Sequence, residues 1–162
     1  MKVREIMTCT PYTCRRDTNL GEATRLMWTG NCGFLPVVGI DGRVCGVITD
    51  RDICIALGTR NKLAGDVSVG EVAGSKVYSC SPDEEIHVAL LTMRDGHVRR
   101  LAVVDADGKP VGVLSMDDIL MHAKATSSGQ VADMSAEEVV RTFQGIPTRN
   151  LPQVVKRHRE AA

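Results

Sequence analysis

Apolar residues in the second half of the chain follow first a helical and then an extended pattern. Between residues 86 and 93 they recur at i, i+3, i+4 and i+7, the spacing of one face of an amphipathic helix: Ile86, Ala89, Leu90 and Met93. The preceding Ser81-Pro82-Asp83-Glu84 has the form of a capping box with proline at the first helical position. The helix is therefore predicted to begin there and to end near Gly96.

A strand, a turn, a second strand and a second helix are predicted to follow. Residues 101–104 form a short apolar run typical of a buried strand, and Asp107-Gly108 is a hairpin-turn sequence. Residues 110–114 are predicted to form the returning strand. Asp117 and Asp118 then begin a helix that is predicted to run to about Ala123.

The first half of the chain has the same order of elements. It predicts a helix over 19–29, a strand over 34–38, a turn at Asp41-Gly42, a strand over 44–48 and a helix over 50–57. A displacement of 66 residues aligns the two copies without a gap, and the identical pairs include Val3/Val69, Tyr12/Tyr78, Cys14/Cys80, Gly30/Gly96, Gly46/Gly112 and Asp52/Asp118. A match of this extent indicates a duplication, so the fold is predicted as two copies of one unit.

The duplication predicts one domain of two halves. Each copy places two helices on one small sheet and leaves an apolar face, and two such units cover each other. The expected fold class is α/β, of the α+β type, with two pseudo-symmetric repeats and a C-terminal helical extension. The predicted boundaries are 1–57 for the first repeat, 58–68 for a linker, 69–123 for the second repeat, and 124–162 for a further linker and a helical tail.

The tail contains a second helix-start sequence, Ser135-Ala136-Glu137-Glu138, followed by apolar residues on one face. Gly145 and Pro147 are predicted to end this helix, and a last short helix is predicted to begin at Pro152. Two interpretations are open: the helix packs on its own module, or it is an arm that binds a partner.

Charge and composition exclude several functions. Twenty basic and twenty acidic residues balance, so no overall field favours nucleic acid or a membrane. The basic run 156–159 is interpreted as a solvated end of the chain. No apolar run approaches the ~20 residues of a membrane span, and the N-terminus lacks a signal-peptide apolar region, so we expect a cytoplasmic protein.

Neither a metal site nor an enzymatic site is predicted. The six cysteines form no CxxC pair and the four histidines lie at no ligand spacing to them, so the cysteines are interpreted as small buried hydrophobes. Cys32 and His97 occupy neighbouring positions in the repeat, but no third group orients them as a catalytic pair. The sequence also lacks a phosphate-binding GxxxxGK[ST] or GxGxxG motif.

The motif that occurs in both copies is a hydroxyl followed three residues later by an aspartate, Thr49-x-x-Asp52 and Ser115-x-x-Asp118. Each hydroxyl ends a strand and each aspartate lies in the first turn of a helix. One interpretation is purely structural, with the hydroxyl as cap and the carboxylate at the positive end of the helix dipole. The other is a ligand site, because a carboxylate accepts hydrogen bonds from both ribose hydroxyls and a helix start suits phosphate.

In these residues the chain resembles a tandem pair of CBS domains, the cystathionine β-synthase type, often called a Bateman module. The resemblance covers about residues 1–123 and is carried by FLPVV, DG and GVITDRDI in the first copy and by RLAVVD and GVLSMDDI in the second. It implies a ligand sensor without catalytic activity, binding AMP, ADP or ATP in clefts between the repeats. S-adenosylmethionine, NAD and cyclic dinucleotides are alternative ligands that the resemblance allows.

The resemblance also implies roles for particular residues, with the ribose held by Asp52 and Asp118. The other implied binding residues are Thr49 and Ser115 near ribose or phosphate, Val47 and Val113 at the base, Cys32 and Gly33 near the Asp118 cleft, Val98 near the Asp52 cleft, and Arg51, Arg99 and Arg100 near phosphate. Because Gly33 and Phe34 replace Arg99 and Arg100 in the first copy, the Asp118 cleft is predicted to bind a phosphorylated nucleoside more tightly.

The resemblance further implies a homodimer formed through the helices, and a separate effector protein that receives the signal. The alternative function is a ligand-independent scaffold for dimerisation or partner regulation, tuned by thiol oxidation. A lowered thiol pKa at Cys32, Cys45 or Cys54 would favour that alternative.

Overall fold

The computed structural model describes residues 1–123 and 134–146 of the chain. Its strands are β1 (Thr8–Cys9), β2 (Cys14–Arg15), β3 (Phe34–Val38), β4 (Val44–Thr49), β5 (Ser79–Cys80), β6 (Arg100–Val104) and β7 (Pro110–Ser115). Its α-helices are α1 (Leu20–Thr29), α2 (Asp50–Arg60), α3 (Ile86–Gly96), α4 (Met116–His122) and α5 (Ala136–Gly145). Short 3-10 turns lie at Val3–Glu5, Ala64–Asp66 and Val69–Glu71.

The strands form one small sheet in each half. The first sheet has the order β2-β3-β4 and the second the order β1-β7-β6-β5. In each, the hairpin is antiparallel and a short strand lies parallel beside it, with Leu35 opposite Ile48 and Leu101 opposite Leu114. These pairs are equivalent under the displacement of the duplication. The α/β class and the plan of two repeats with two helices each are therefore confirmed.

The segment that opens each repeat adds to the sheet of the other half. β1 pairs with β7, Thr8 lying opposite Val113. At the equivalent place in the first half, Gly74 exchanges two backbone hydrogen bonds of 3.1 Å with Val47. The adjoining apolar residues follow the same rule, because Val3 lies in the core of the second half and Val69 in that of the first. The halves are thus interlocked through their opening segments.

The glycine that begins GVITDRDI permits this interlocking. A Cβ atom on Gly46 would lie 2.9 Å from the carbonyl oxygen of Gly74. A Cβ on Gly112 would lie 2.7 Å from the Met7 sulfur and 3.0 Å from the Thr8 oxygen. At Gly46 a side chain would lie closer to the backbone oxygen than real Cβ atoms do, and at Gly112 the neighbouring atoms would have to shift, so glycine lets the crossing segment reach hydrogen-bonding distance.

Each half has its own apolar core beneath its sheet. Leu35 and Ile48 in the first half and Leu101 and Leu114 in the second are fully buried. Burial of a side chain of this size contributes about 1.5–3 kcal/mol. Residues from the apolar runs of the predicted strands lie in these cores.

The predicted start of α3 is wrong. Ser81 does not cap a helix; residues 81–84 form a turn in which the Glu84 N–H donates to the Ser81 carbonyl at 3.1 Å. The carbonyls of Pro82 and Glu84 accept from the N–H groups of Arg4 and Val3, at 2.9 and 3.0 Å. The crossing N-terminal segment therefore takes acceptors that a helix would use internally, and α3 begins at Ile86.

Other helix boundaries differ by a few residues. α2 continues to Arg60, beyond its predicted end at 57, and stops where Asn61 adopts a left-handed conformation with φ of 52°. α4 begins one residue earlier than predicted, at Met116. In α1, Asn19 is the cap, its side-chain oxygen accepting from the Glu22 N–H at 2.9 Å.

α5 packs on its own module, as the first of the two interpretations of the tail predicts. The Ser135 hydroxyl accepts from the Glu138 N–H at 3.2 Å and caps the helix. Val139 is fully buried in the core of the second half. The predicted helix at Pro152 lies outside the described residues.

Candidate functional site

A cavity of about 900 Å³ lies at the seam between the two halves. Its walls come from the end of β4 and the start of α2 in the first half, and from the segment between α3 and β6 in the second. The lining residues are Phe34, Val47, Thr49, Asp50, Arg51, Asp52, Lys76, Tyr78, His97, Val98, Arg99, Arg100 and Ile146. A volume of this size suits a nucleotide-sized ligand.

Thr49 and Asp52 form a reciprocal cap at the start of α2. The Thr49 hydroxyl donates to Asp52 Oδ2 at 2.6 Å and accepts from the Asp52 N–H at 3.2 Å. The Thr49 N–H also donates to Oδ2, at 3.0 Å. The motif thus forms the hydrogen bonds that its structural interpretation, a helix cap, requires. Because both bonds use Oδ2, Oδ1 of Asp52 accepts no hydrogen bond from the described residues.

Ser115 and Asp118 have the same geometry at the start of α4. The Ser115 hydroxyl and N–H donate to Asp118 Oδ2 at 2.6 and 2.8 Å, and the Asp118 N–H donates back at 3.2 Å. Capping therefore does not distinguish the two copies. A difference in ligand binding between them must arise from the residues around each carboxylate.

Four basic side chains line the cavity that contains Asp52: Arg51, Lys76, Arg99 and Arg100. Within residues 1–123 and 134–146, none of the four forms an intramolecular salt bridge. Lys76 lies over the Tyr78 ring, 4.8 Å from its centroid. The cavity therefore combines carboxylates at the start of α2 with cations that are available to an anionic ligand.

The structure places the arginine pair at the cavity of Asp52. Arg99 and Arg100 were expected to serve the cleft of Asp118, which lies in their own repeat, but their side chains line the cavity of Asp52 in the other repeat. The Arg99 carbonyl accepts from the Met116 N–H at 3.0 Å. The Arg99 backbone thus adjoins the helix of Asp118, while both arginines are lining residues of the Asp52 cavity. Val98 lies in the same cavity, where the sequence places it.

Cys32 and Gly33 do not share a described cavity with Asp118, contrary to expectation. They line a groove of about 570 Å³ along α1 and α2, together with Trp28 and Cys54. A Cβ on Gly33 would lie 2.5 Å from Asp50 Oδ2, so this backbone faces the start of α2 in its own half. Asp118, Ser115 and Val113 line neither this groove nor the larger cavity.

Several residues that line the Asp52 cavity were not predicted from the sequence. Lys76 and Tyr78 lie in the segment that crosses between the halves, where the Tyr12/Tyr78 identity was the available signal. A Cβ on Gly96 would lie 2.7 Å from the Tyr78 ring, so this tyrosine packs against the end of α3. Ile146 lies beyond the repeats and had no signal in the duplicated pattern.

The cysteines differ more in exposure than predicted. Burial, with a smaller effect of nearby Cys45, raises the pKa of Cys14 to about 11, and burial, with nearby Glu84, raises the pKa of Cys80 to about 12. These two equivalent thiols are small buried hydrophobes, as expected. Cys9 and Cys54 are exposed, which corrects the prediction for them. No group of three His, Cys, Asp or Glu side chains in the described part could hold a metal ion.

The chain belongs to the CBS domain family, whose sequence model matches residues 3–59 and 69–125. A curated relative is homoserine O-acetyltransferase from Methanohalophilus mahii, 32% identical over 119 residues. The match covers 74% of this chain and 24% of that enzyme. The chain thus spans about a quarter of the length of this relative.

Solved structures share the fold. The CBS domain pair of protein MJ0100, in complex with 5′-methylthioadenosine and S-adenosyl-L-methionine, matches with a TM-score of 0.68 and 26% identity over 75% of this chain and 94% of that one. The CBS domain protein PAE2072 from Pyrobaculum aerophilum, complexed with AMP, matches with a TM-score of 0.66 and 26% identity over 73% and 89%. Among the described residues of the present chain, no helix has the length and apolar character needed to cross a membrane.

Proposed function

We propose that the protein is a regulatory module that binds an adenosine nucleotide, AMP, ADP or ATP, in the cavity of Asp52. The observation that carries the proposal is the composition of this one cavity. Several features meet there and come from both halves of the molecule: an aspartate oxygen that accepts no hydrogen bond from the described residues, apolar walls, and four cations that form no salt bridge among those residues. The complexes of related CBS domain pairs with AMP and with adenosyl ligands support an adenosine-containing ligand.

Each part of the cavity suits one part of a nucleotide. Oδ1 of Asp52 is the acceptor for the ribose hydroxyls, while Oδ2 remains bound to Thr49. Val47 and Val98, which line the cavity from the two halves, are apolar surfaces for a base. Arg99 and Arg100, assisted by Arg51 and Lys76, are the partners of the phosphates, since guanidinium groups bind phosphate oxygens in pairs.

The cleft of Asp118 is proposed to be the weaker site. Its carboxylate has the same cap, but Arg99 and Arg100 line the cavity of Asp52 and share no described cavity with Asp118. Val113 and Ser115 can still accommodate a base and a ribose, so this cleft favours an unphosphorylated adenosyl ligand such as S-adenosylmethionine over a nucleotide.

The signal is proposed to be the relative arrangement of the two halves. A ligand that touches both sides of a seam binds one arrangement better than another and shifts the population toward it. The chain is proposed to act without catalysis, in the cytoplasm, as a homodimer through its helices, and to pass this change to a separate effector protein. Exposed apolar side chains on α1 and α4, Trp28 and Met121, provide apolar surface for such contacts.

Calorimetric titration of the wild type, Asp52→Ala and Asp118→Ala with AMP, ADP and ATP tests the proposal. Loss of a charge-assisted hydrogen bond costs about 1.5–3 kcal/mol, so Asp52→Ala is expected to weaken nucleotide binding about 10- to 100-fold. Asp118→Ala removes an equivalent cap, with the same three hydrogen bonds, and is the matched control that keeps near wild-type affinity.

Two results would contradict the proposal. Equal losses in the two variants would show that the ligand does not select the cavity of Asp52. No binding of any nucleotide, nor of S-adenosylmethionine, NAD or cyclic di-AMP, would favour the ligand-independent scaffold. Thermal stability provides an independent measurement, because free ligand at 100 times its dissociation constant adds about 2.7 kcal/mol to the free energy of unfolding.

A further inference from the structure

The end of α5 reaches the nucleotide cavity from outside both repeats. Ile146 follows the last residue of this helix, is only 5% exposed, and lines the cavity that contains Asp52. One turn earlier, the Phe143 ring lies 6.0 Å from the Arg99 guanidinium, a cation–π distance. The tail thus contributes an apolar wall and also holds one of the proposed phosphate-binding side chains.

α5 is fixed to the helix that leads into the cavity. Val139 is buried against the core of the second half, and Glu138 Oε1 lies 2.5 Å from Nδ1 of His87 on α3. At the far end, a Cβ on Gly145 would lie 2.7 Å from Cγ of Arg94, so the two helix ends are in close contact. α3 ends two residues after Arg94, and the lining segment of Val98 and Arg99 follows directly.

We propose that α5 is a third wall of the nucleotide site, with Ile146 as a binding residue, so that ligand binding and the docking of α5 stabilise each other. The inference rests on the proposed function and adds to it that α5 is the element whose docking changes when a nucleotide binds. Undocking of α5 removes an apolar wall and releases Arg99 from Phe143, and both changes weaken nucleotide binding. Thermodynamic reciprocity requires the converse: a bound nucleotide must hold α5 against the module by the same factor.

Amide hydrogen exchange on the unmodified full chain tests the coupling. The ligand is whichever of AMP, ADP and ATP binds most tightly in the titrations above, and exchange is followed in peptides that cover residues 49–52, 97–100 and 136–146. The expected result is slower exchange in all three regions, including the α5 peptide, since the docked helix opens less often when the site is occupied.

Substitution of Ile146 tests the contact itself. Ile146→Ala removes part of the apolar wall and is expected to weaken nucleotide binding about three- to tenfold, while Ile146→Leu restores most of the affinity. Val140→Ala is the control on the same helix, because Val140 is half-exposed and does not line the cavity. Circular dichroism checks that the variants are folded.

The possible results distinguish failure of the α5 proposal from failure of the proposed nucleotide site. Nucleotide protection of residues 49–52 and 97–100 with unchanged exchange in 136–146 would overturn the role of α5 and leave the nucleotide site intact. Equal affinities of Ile146→Ala and Val140→Ala would overturn the role of Ile146 in the same way. Absence of binding and of protection in every region would overturn both proposals.

Discussion

At the scale of single residues, the role of the capping motif could be predicted from the sequence, whereas the position of the arginine pair could not. Thr49 and Asp52 are caps by geometry, and their copies Ser115 and Asp118 repeat that geometry within a few tenths of an ångström. The sequence predicts these roles because a cap depends on residues three positions apart. Which cavity Arg100 lines depends on how the two halves pack against each other. The alignment of the two repeats shows only which positions are equivalent.

Arg100→Ala is therefore expected to weaken nucleotide binding at the cavity of Asp52, in the other repeat. A charge-assisted contact to phosphate contributes about 1.5–3 kcal/mol, so affinity should fall about tenfold or more. The salt dependence of binding should also decrease, since one ionic contact is lost. Titration at two salt concentrations measures both effects, with Lys109→Ala, an exposed cation at a hairpin turn, as control. A loss confined to S-adenosylmethionine binding would place Arg100 at the other cleft.

At the scale of elements, the hairpins were predicted well and the opening segments were not. β3, β4, β6 and β7 lie within a residue of their predicted bounds, because an apolar run around an Asp-Gly turn is local information. The pairing of β1 with β7 joins segments at opposite ends of the duplicated region. The same crossing makes Ser81 part of a turn and not a helix cap, so the error at α3 also has a non-local cause.

Gly46→Ala tests the contact that permits the crossing. The added Cβ would lie 2.9 Å from a backbone oxygen, which cannot move without loss of the Val47–Gly74 hydrogen bonds. Overpacking of this kind costs about 1–3 kcal/mol of unfolding free energy. The control is Gly58→Ala within α2, where an added Cβ would lie within 4 Å of no described atom beyond its chain neighbours and its own helix backbone. It should stabilise by about 0.5–1 kcal/mol through helix propensity. Denaturant unfolding measures both, and equal effects would contradict the proposed close contact.

At the scale of the whole molecule, the two apolar cores are separate, but each half includes a backbone segment from the other repeat. Val3 belongs to the second core and Val69 to the first, so neither half is complete without a segment of the other repeat. The hairpin turns also meet, the Val44 N–H donating to the Gly108 carbonyl at 3.0 Å. The duplication could be read from the sequence, whereas this exchange of segments could not.

Thermal unfolding is consequently expected to be one cooperative transition, although the chain contains two repeats. Loss of either core removes a strand partner from the other, and the two should melt together. Differential scanning calorimetry at fixed protein concentration, with and without saturating nucleotide, checks this expectation. A single peak that moves to higher temperature with ligand is expected. Two peaks, of which only one responds to ligand, would show that the halves unfold independently.

The crossing of β1 also determines the order in which the chain can be completed during synthesis. Thr8 is made before the whole of the first repeat, but its partner Val113 is made only near the end of the second repeat. Until the second repeat has been made, β1 therefore has no strand to join, and the core that contains Val3 has not formed. β1 can therefore be incorporated into the fold only after nearly all of the duplicated region has emerged.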